Sequence, residues 1–425
     1  MAQSKKFPQR FKFVGATFLL SVLLYVDRAC ISAAKDDIAA DMSLSDQQMA
    51  WVLSAFALGY ALFQTPGGWL ADRFGPRRLL TGIVIVWSIF TGLTAAAFNF
   101  ISLISMRLLF GAGEAGAFPG MARASFSWIP MQERGIVQGI NFSGSRLGAA
   151  IALPGIALML GQFGWRTSFV ILMAVGFVWA VFWWLWFRDE PEQKPGIDEE
   201  ELNFILENRQ QEKVAVEDVP PLLASKLFAQ KNIWFVCLQY FASNFTFFFC
   251  LTHWFPHLKR TYDLNSVEAG LYASAPLVAG AFGNWFSGWL IDRLYRQGRW
   301  PLSRRLPAML GFSLATIGVL MSMNQSTVGP AVAWFCVAIF GADMTLAPSW
   351  SFCMDIGKHH SGVVSGTMNM AGNVGAFVTA LAYQYLKDWS SAESLFFFVA
   401  AGLNALAIIC WLILDPRKPL LEEQQ

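Results

Sequence analysis

Residues 67–78 read GGWLADRFGPRR, and the core of that stretch occurs twice. GWLADR at Gly68–Arg73 returns as GWLIDR at Gly288–Arg293. Two shorter echoes follow at similar offsets: RGIVQG (134–139) with SGVVSG (361–366), and NFSG (141–144) with NMAG (369–372). Three matched pairs in one order indicate two parallel structural repeats within the chain. Each GWLxDR closes an apolar stretch of the length that crosses a bilayer, about 20 residues.

Composition places the whole chain in that solvent. Of 425 residues, 55% are hydrophobic, 15% aromatic and only 14% charged, against about 25% charged in soluble domains. We read about twelve helical spans, near 11–31, 46–71, 78–98, 101–128, 134–161 and 166–188, then 231–257, 266–291, 303–323, 328–354, 360–386 and 392–414. The runs lack the period-two alternation of a transmembrane β-barrel. The expected fold is an all-α membrane protein of two pseudo-symmetric six-helix bundles, 1–188 and 231–425 with a short tail, joined by a cytoplasmic linker, 189–230. That linker carries Pro191, Pro195, Pro220 and Pro221 around an acidic amphipathic piece, and reads as a solvated connector.

Loops rich in Arg and Lys alternate with loops that have few. The N-terminus, Arg73/Arg77/Arg78, Arg134, 189–230, Arg293–Arg305, Lys358 and Arg417/Lys418 form the basic set. By the positive-inside rule both termini are cytoplasmic, with the protein in the inner cell membrane. The basic N-terminus has no small-residue cleavage site, so no signal peptide is expected. A net charge of +2 gives no reason to expect a nucleic-acid partner. The six cysteines have no CxxC spacing and read as buried free thiols.

Ionisable residues inside such spans are few: Asp27, Arg28, Arg107, Glu114, Arg146 and Asp343. Each costs about 2.5–3.5 kcal/mol at a helix centre on insertion scales, so each is expected to face a cavity or a partner. Arg107 and Glu114 share RLLFGAGEAGAFPG (107–120). At seven residues apart they lie on one helix face, roughly 10 Å apart. They are either a structural ion pair or two functional groups. Arg28 follows Asp27 but projects about 100° away around the helix. GAGEAG (111–116) satisfies GxGxxG literally, but no strand precedes it, which removes a dinucleotide site. His253, His257, His359 and His360 lie near span ends without metal-ligand spacing, and no GK[ST] phosphate loop is present. No cofactor or metal is expected. No nucleophile–base set is visible, so the chain does not read as an enzyme.

GGWLADRFGPRR closely resembles the loop between the second and third spans of the major facilitator superfamily. YVDR (25–28), SAFALGYALFQTPGGW (54–69), MRLLFGAGEAGAFPG (106–120) and APSWSFCMDIGKHHSGVVSGTMNMAGNVG (347–375) are similar to its anion:cation symporter branch. That branch includes bacterial hexuronate, galactonate and glucarate transporters. The resemblance implies that Asp27 and Glu114 are proton sites and that Arg107 grips a substrate carboxylate. Arg28 is then a second anion contact or the partner that tunes Glu114. Tyr25, Tyr60, Ser145, Trp350, Asn369 and Asn373 match positions lining a sugar-acid site, where Tyr and Asn would bond hydroxyls and Trp would wall a sugar face. Arg146 departs from the galactonate-type pattern. It is either a third substrate cation or the partner of Asp343 in a strut. Asp72, Arg73 and Arg77, with Asp292 and Arg293 in the repeat, are expected to gate, Asp72 against a helix N-terminus or an arginine.

The expected activity is proton-coupled uptake of a small organic anion, a hexuronate, aldonate or aldarate, by a monomer using alternating access. The alternatives within the superfamily are an organic anion/phosphate-ester exchanger and a sodium-coupled anion carrier. The first would place basic residues in the first and seventh spans, and the seventh has none at its centre.

Overall fold

Three prolines mark helix breaks, while Pro66, Pro276 and Pro307 sit inside unbroken helices. A proline inside a helix removes the bond to the carbonyl four residues earlier and collides with it. Pro119, Pro256 and Pro348 each stand four residues after a break. The helix Phe100–Glu114 stops before Ala115 and resumes at Ala117. Lys231–Thr252 stops at Thr252, and Val328–Met344 stops at Met344. The fourth expected span of each half is therefore two helices rather than one. The expected fifth and sixth spans are two helices that meet within Arg134–Trp186 at a kink at Gly164, whose φ of 73° suits a residue without a Cβ.

The computed structural model describes residues 7–210, 222–323, 325–390 and 394–420. Lys5, Lys6 and linker residues 211–221, with Pro220 and Pro221, lie outside the described residues. The helices are α1 Gln9–Ala33, α2 Lys35–Met42, α3 Asp46–Phe74, α4 Pro76–Ala95, α5 Phe100–Glu114, α6 Ala117–Trp128, α7 Arg134–Trp186, α8 Glu199–Asn208, α9 Ala224–Ala229 and α10 Lys231–Thr252. They continue as α11 Trp254–Tyr262, α12 Ser266–Arg296, α13 Trp300–Ser322, α14 Val328–Met344, α15 Leu346–Gly357, α16 Ser361–Ser390 and α17 Ser394–Ile413. No strand occurs among the described residues. Among the described residues, eight stretches are long and apolar enough to cross a membrane. The helices α3 and α12 are as long but fall outside that set. They spend positions on buried polar residues such as Gln64, Asn284 and Ser287, which face other helices.

The chain forms two compact units that interleave in sequence. Unit 1 comprises Met1–Pro130, Leu147–Val219 and Gly357–Thr367; unit 2 comprises Met131–Arg146, Pro220–Ile356 and Met368–Gln425. Unit 1 buries Cys30, Ile38, Val52, Leu103 and Phe169 in one cluster, and stacks Trp183 on Phe187 at 4.0 Å. Unit 2 centres on Phe249, packed by Phe396 at 4.9 Å and Phe397 at 5.2 Å, with Trp254 stacked on Phe335 at 3.8 Å. None of the six cysteines forms a disulfide, and Cys237 and Cys336 are only partly buried.

Lipid tails are as apolar as leucine, so helices in a bilayer associate through close packing rather than hydrophobic transfer. In unit 1 the glycine run supplies that packing. A Cβ on Gly111 would collide with the Phe56 carbonyl oxygen, and one on Gly59 with that of Leu108. The backbones of α3 and α5 touch at these two points.

Two copies of one further contact explain the interleaving. In unit 1 a Cβ on Gly68 would strike the Gly362 carbonyl; in unit 2 one on Gly288 would meet that of Gly135. Gly362 and Val363 donate their N–H groups to the Asp72 carboxylate, both at 2.8 Å. Gly135 and Ile136 donate to Asp292 at 2.8 and 2.9 Å. The repeated GWLxDR thus docks on the repeated xGVVxG or xGIVxG, carrying 357–367 into unit 1 and 131–146 into unit 2.

The linker is more engaged than a solvated connector. Glu201 of α8 accepts the Gln9 and Arg10 N–H groups at 2.8 and 3.0 Å, capping α1. Arg209 is buried and donates to Glu190 at 2.9 Å and Glu192 at 2.6 Å. Burial also holds the Asp189 carboxyl above the usual carboxylate range, although the Arg77 N–H donates to it at 2.7 Å.

Candidate functional site

Unit 1 gathers four charged side chains from two helices. Asp27 and Arg28 come from α1, Arg107 and Glu114 from α5. Glu114 is 0% exposed and Asp27 6%. The carboxylate of Glu114 pairs with Arg28, not Arg107. Arg28 brings Nε and Nη2 to the same oxygen, Oε1, each at 2.7 Å. The second oxygen, Oε2, is buried and accepts no hydrogen bond among the described residues. Three aromatic rings surround the Arg28 guanidinium: Tyr60 at 4.4 Å, Tyr25 at 4.9 Å and Phe56 at 5.0 Å. Cation–π attraction of this kind is worth about 0.5–2 kcal/mol, more when desolvated.

Arg107 stands differently. It is 2% exposed and lies over Phe110 at 4.5 Å and Phe56 at 5.2 Å. No carboxylate reaches it within ion-pair distance among the described residues, and its Nε is buried without an acceptor. Leaving a charge buried and unpaired by contact costs several kcal/mol. The reading of Arg107 and Glu114 as a structural ion pair therefore does not describe this structure, because Arg28 takes the carboxylate.

Unit 2 holds the remaining expected ligand contacts: Ser145, Arg146, Trp350, Asn369 and Asn373. Arg146 forms a two-pronged pair with Asp343, Nε to Oδ2 at 2.8 Å and Nη2 to Oδ1 at 2.6 Å. Its guanidinium also lies 3.6 Å from the Phe247 ring centroid. Gly280 makes room for the carboxylate, since a Cβ there would collide with Asp343. Ser145 donates its hydroxyl to the Phe142 carbonyl of its own helix at 2.6 Å. The Trp350 indole donates to the Tyr240 hydroxyl at 2.9 Å, with Phe142 5.3 Å away. Asn373 donates to the Asn369 carbonyl at 2.8 Å.

The residues expected to gate sit at helix ends. Besides its two N–H donors, Asp72 lies 3.9 Å from Arg123 Nε. Arg73 covers Trp69 at 5.0 Å, and Arg293 covers Trp289 at 5.1 Å. Arg77 donates Nε and Nη2 to the Trp184 carbonyl at 3.0 and 2.6 Å.

Sequence reasoning missed a third charged cluster. Asp355 accepts Arg134 Nη1 at 2.7 Å, Arg304 Nε at 2.7 Å and Trp300 Nε1 at 3.0 Å. Arg134 and Arg304, read as loop charges, are 0% exposed. The signal was Asp355 itself, one acidic residue closing the apolar run that ends at Gly357. Arg123 was missed likewise.

The sequence matches the Major Facilitator Superfamily over residues 17–380. It is 31% identical to a probable sulfoacetate transporter of Cupriavidus necator over 409 residues, 96% of this chain and 94% of that one. It is 32% identical to a probable galactarate/D-glucarate transporter of Escherichia coli K12 over 423 residues, covering 95% and 94%. A hexuronate transporter of Bacillus subtilis strain 168 is 30% identical over 396 residues, covering 92% and 91%. Among solved structures, the proton:xylose symporter XylE bound to 6-bromo-6-deoxy-D-glucose superposes with a TM-score of 0.75, covering 97% of this chain and 98% of that one; at 15% identity it shows the fold alone. With its apolar helices, its repeated GWLxDR and these relatives, the chain belongs to the Major Facilitator Superfamily, as a multi-pass membrane transporter and not an enzyme.

Proposed function

We propose that this protein is a proton-coupled symporter that takes up a small organic anion, a sugar acid such as a hexuronate, aldonate or aldarate. The observation that carries the reading is Arg107, a buried guanidinium with an unsatisfied donor and no carboxylate in contact. A planar guanidinium matches the two oxygens of a substrate carboxylate. The relatives named for hexuronate and galactarate/D-glucarate are transporters of carboxylated sugars, and that chemistry fits Arg107.

In this reading Asp27 and Glu114 carry the protons. Protonating Glu114 removes the charge that engages Arg28, so proton loading and the cationic character of the cavity change together. Tyr25 and Tyr60 serve substrate recognition beside Arg28; Ser145, Trp350, Asn369 and Asn373 of unit 2 are kept as expected ligand contacts, while Arg146, held by Asp343, acts as a strut rather than a third substrate cation. Asp72, Arg73, Arg77, Asp292, Arg293 and Asp343 serve gating and structure. The chain works as a monomer in the inner membrane with both termini cytoplasmic, as bundles 1–188 and 231–425. One elementary charge moved across 100 mV is worth about 2.3 kcal/mol, enough for proton entry to drive accumulation.

The test uses purified protein in liposomes and a panel of sugar acids. Uptake driven by a pH gradient should be lost in Glu114→Gln while counterflow exchange persists. Thermal stabilisation by every effective sugar acid should vanish in Arg107→Ala. Gradient-driven uptake by Glu114→Gln at the wild-type rate sinks the proton role. Uptake that follows a sodium gradient instead selects the sodium-coupled alternative.

A further inference from the structure

A groove of about 380 Å³ runs along α3, α4 and α5 in unit 1, away from the buried charges. Its lining is apolar: Phe63, Leu70, Phe74, Ile83 and Val86 contribute walls, and Gly67, Gly82, Gly113 and Gly116 keep it open. Phe63, Phe74 and Val86 are exposed, so the groove faces outward from the unit. Gly113 and Gly116 are backed by the Val86 and Ile83 side chains, whereas a Cβ on Gly82 would meet nothing within 4 Å.

Among the described lining residues only Arg78 is charged. Its two basic neighbours are engaged elsewhere, Arg73 over Trp69 and Phe74, Arg77 on the Trp184 carbonyl. Arg78 is exposed and has no carboxylate within ion-pair distance among the described residues. An apolar channel ending in one exposed guanidinium that no carboxylate contacts, Asp189 acting on it only from beyond ion-pair distance, has the chemistry of an acyl chain joined to an anionic head. Arginine is the side chain suited to phosphate oxygens, and basic residues next to membrane spans attract anionic lipids. A free phosphate would leave the groove unused, and a zwitterionic lipid would set a second positive charge beside Arg78.

We propose that this groove binds an anionic phospholipid, with one acyl chain between α3, α4 and α5 and its phosphate on Arg78. The site is separate from the transport reading and stands or falls without it.

The full-length protein purified in detergent is titrated with phosphatidylglycerol, phosphatidylcholine or glycerol 3-phosphate, reading the melting temperature and, by native mass spectrometry, the number of bound lipids. Phosphatidylglycerol should raise the melting temperature at least twice as much as phosphatidylcholine, and glycerol 3-phosphate should leave it unchanged. Gly82→Phe, which fills the groove, and Arg78→Gln should each abolish that preference. Gly15→Phe, whose added side chain also enters open space, should retain it. If a variant melts early without lipid, bound-lipid counting decides: one phosphatidylglycerol fewer than wild type supports the site. Equal stabilisation by both lipids, a preference surviving in Gly82→Phe or Arg78→Gln, or a full response to glycerol 3-phosphate alone overturns the proposal.

Discussion

At Asp355 one carboxylate holds two fully buried guanidiniums, Arg134 and Arg304, and an indole. Removing one partner of a buried ion pair costs about 3–5 kcal/mol, because the other is left uncompensated. Asp355→Asn is expected to lower the unfolding free energy in detergent by that order. Arg304→Met, which leaves a one-to-one pair, should cost less. A chemical denaturation series comparing both with wild type checks the ranking. The intramembrane charges Asp27, Arg28, Arg107 and Glu114 were legible in the sequence because each interrupts an apolar run. Arg134 and Arg304 were not, because a cation near a span end reads as a solvated loop charge until its partner is located. Nor could spacing choose between Arg28 and Arg107 as the partner of Glu114. Helical periodicity aligns Arg107 with Glu114, and only the reach of the Arg28 side chain from α1 takes the carboxylate.

Among the elements, α5 shows what the glycines do. Gly111 has no room for a side chain, because Phe56 and Tyr60 of α3 occupy the space a Cβ needs. Gly111→Val is expected to force the two backbones apart at about 1–3 kcal/mol, seen as a lower melting temperature in detergent. Gly155→Val, where a Cβ meets nothing within 4 Å, should leave it unchanged. The same glycines produced the literal nucleotide motif in the sequence, so one small-residue pattern serves two unrelated chemistries and only the surrounding strand or span separates them. Helix breaks were partly readable. Pro119, inside an apolar run, is the sequence mark of the break, which falls at its i−4 carbonyl. The turn at Gly164 was readable as a boundary between two apolar runs, though not its positive φ. The docking of Glu201 on α1 was not readable, since an acidic amphipathic segment carries no address for its partner.

For the whole molecule, the two repeats make one contact twice. Asp72→Ala and Asp292→Ala each remove an acceptor from two N–H groups, and a buried unsatisfied donor costs about 1–3 kcal/mol. Asp72→Ala, which also takes the carboxylate from buried Arg123, should lose more than Asp292→Ala. Since the contacts lie in separate compact units, the double variant should lose their sum within about 0.5 kcal/mol. A double-mutant cycle on unfolding midpoints measures this, and a large departure from additivity would mean the contacts are coupled. The repeated motifs were visible from the start, as was the expectation that Asp72 meets a helix N-terminus. Their mutual pairing was hidden, because a repeat shows which segments are alike and not which segments touch.

That pairing bears on ancestry. A polypeptide carrying a single repeat holds both the Asp-bearing helix end and the amide-bearing helix start, but here each finds its partner in the other copy. Two identical half-length chains would satisfy both by exchanging these segments. The contact is thus already complete in a homodimer, before any gene duplication and fusion. Joining the copies through residues 189–230 would then have changed the covalent connection and left the interlock as it was.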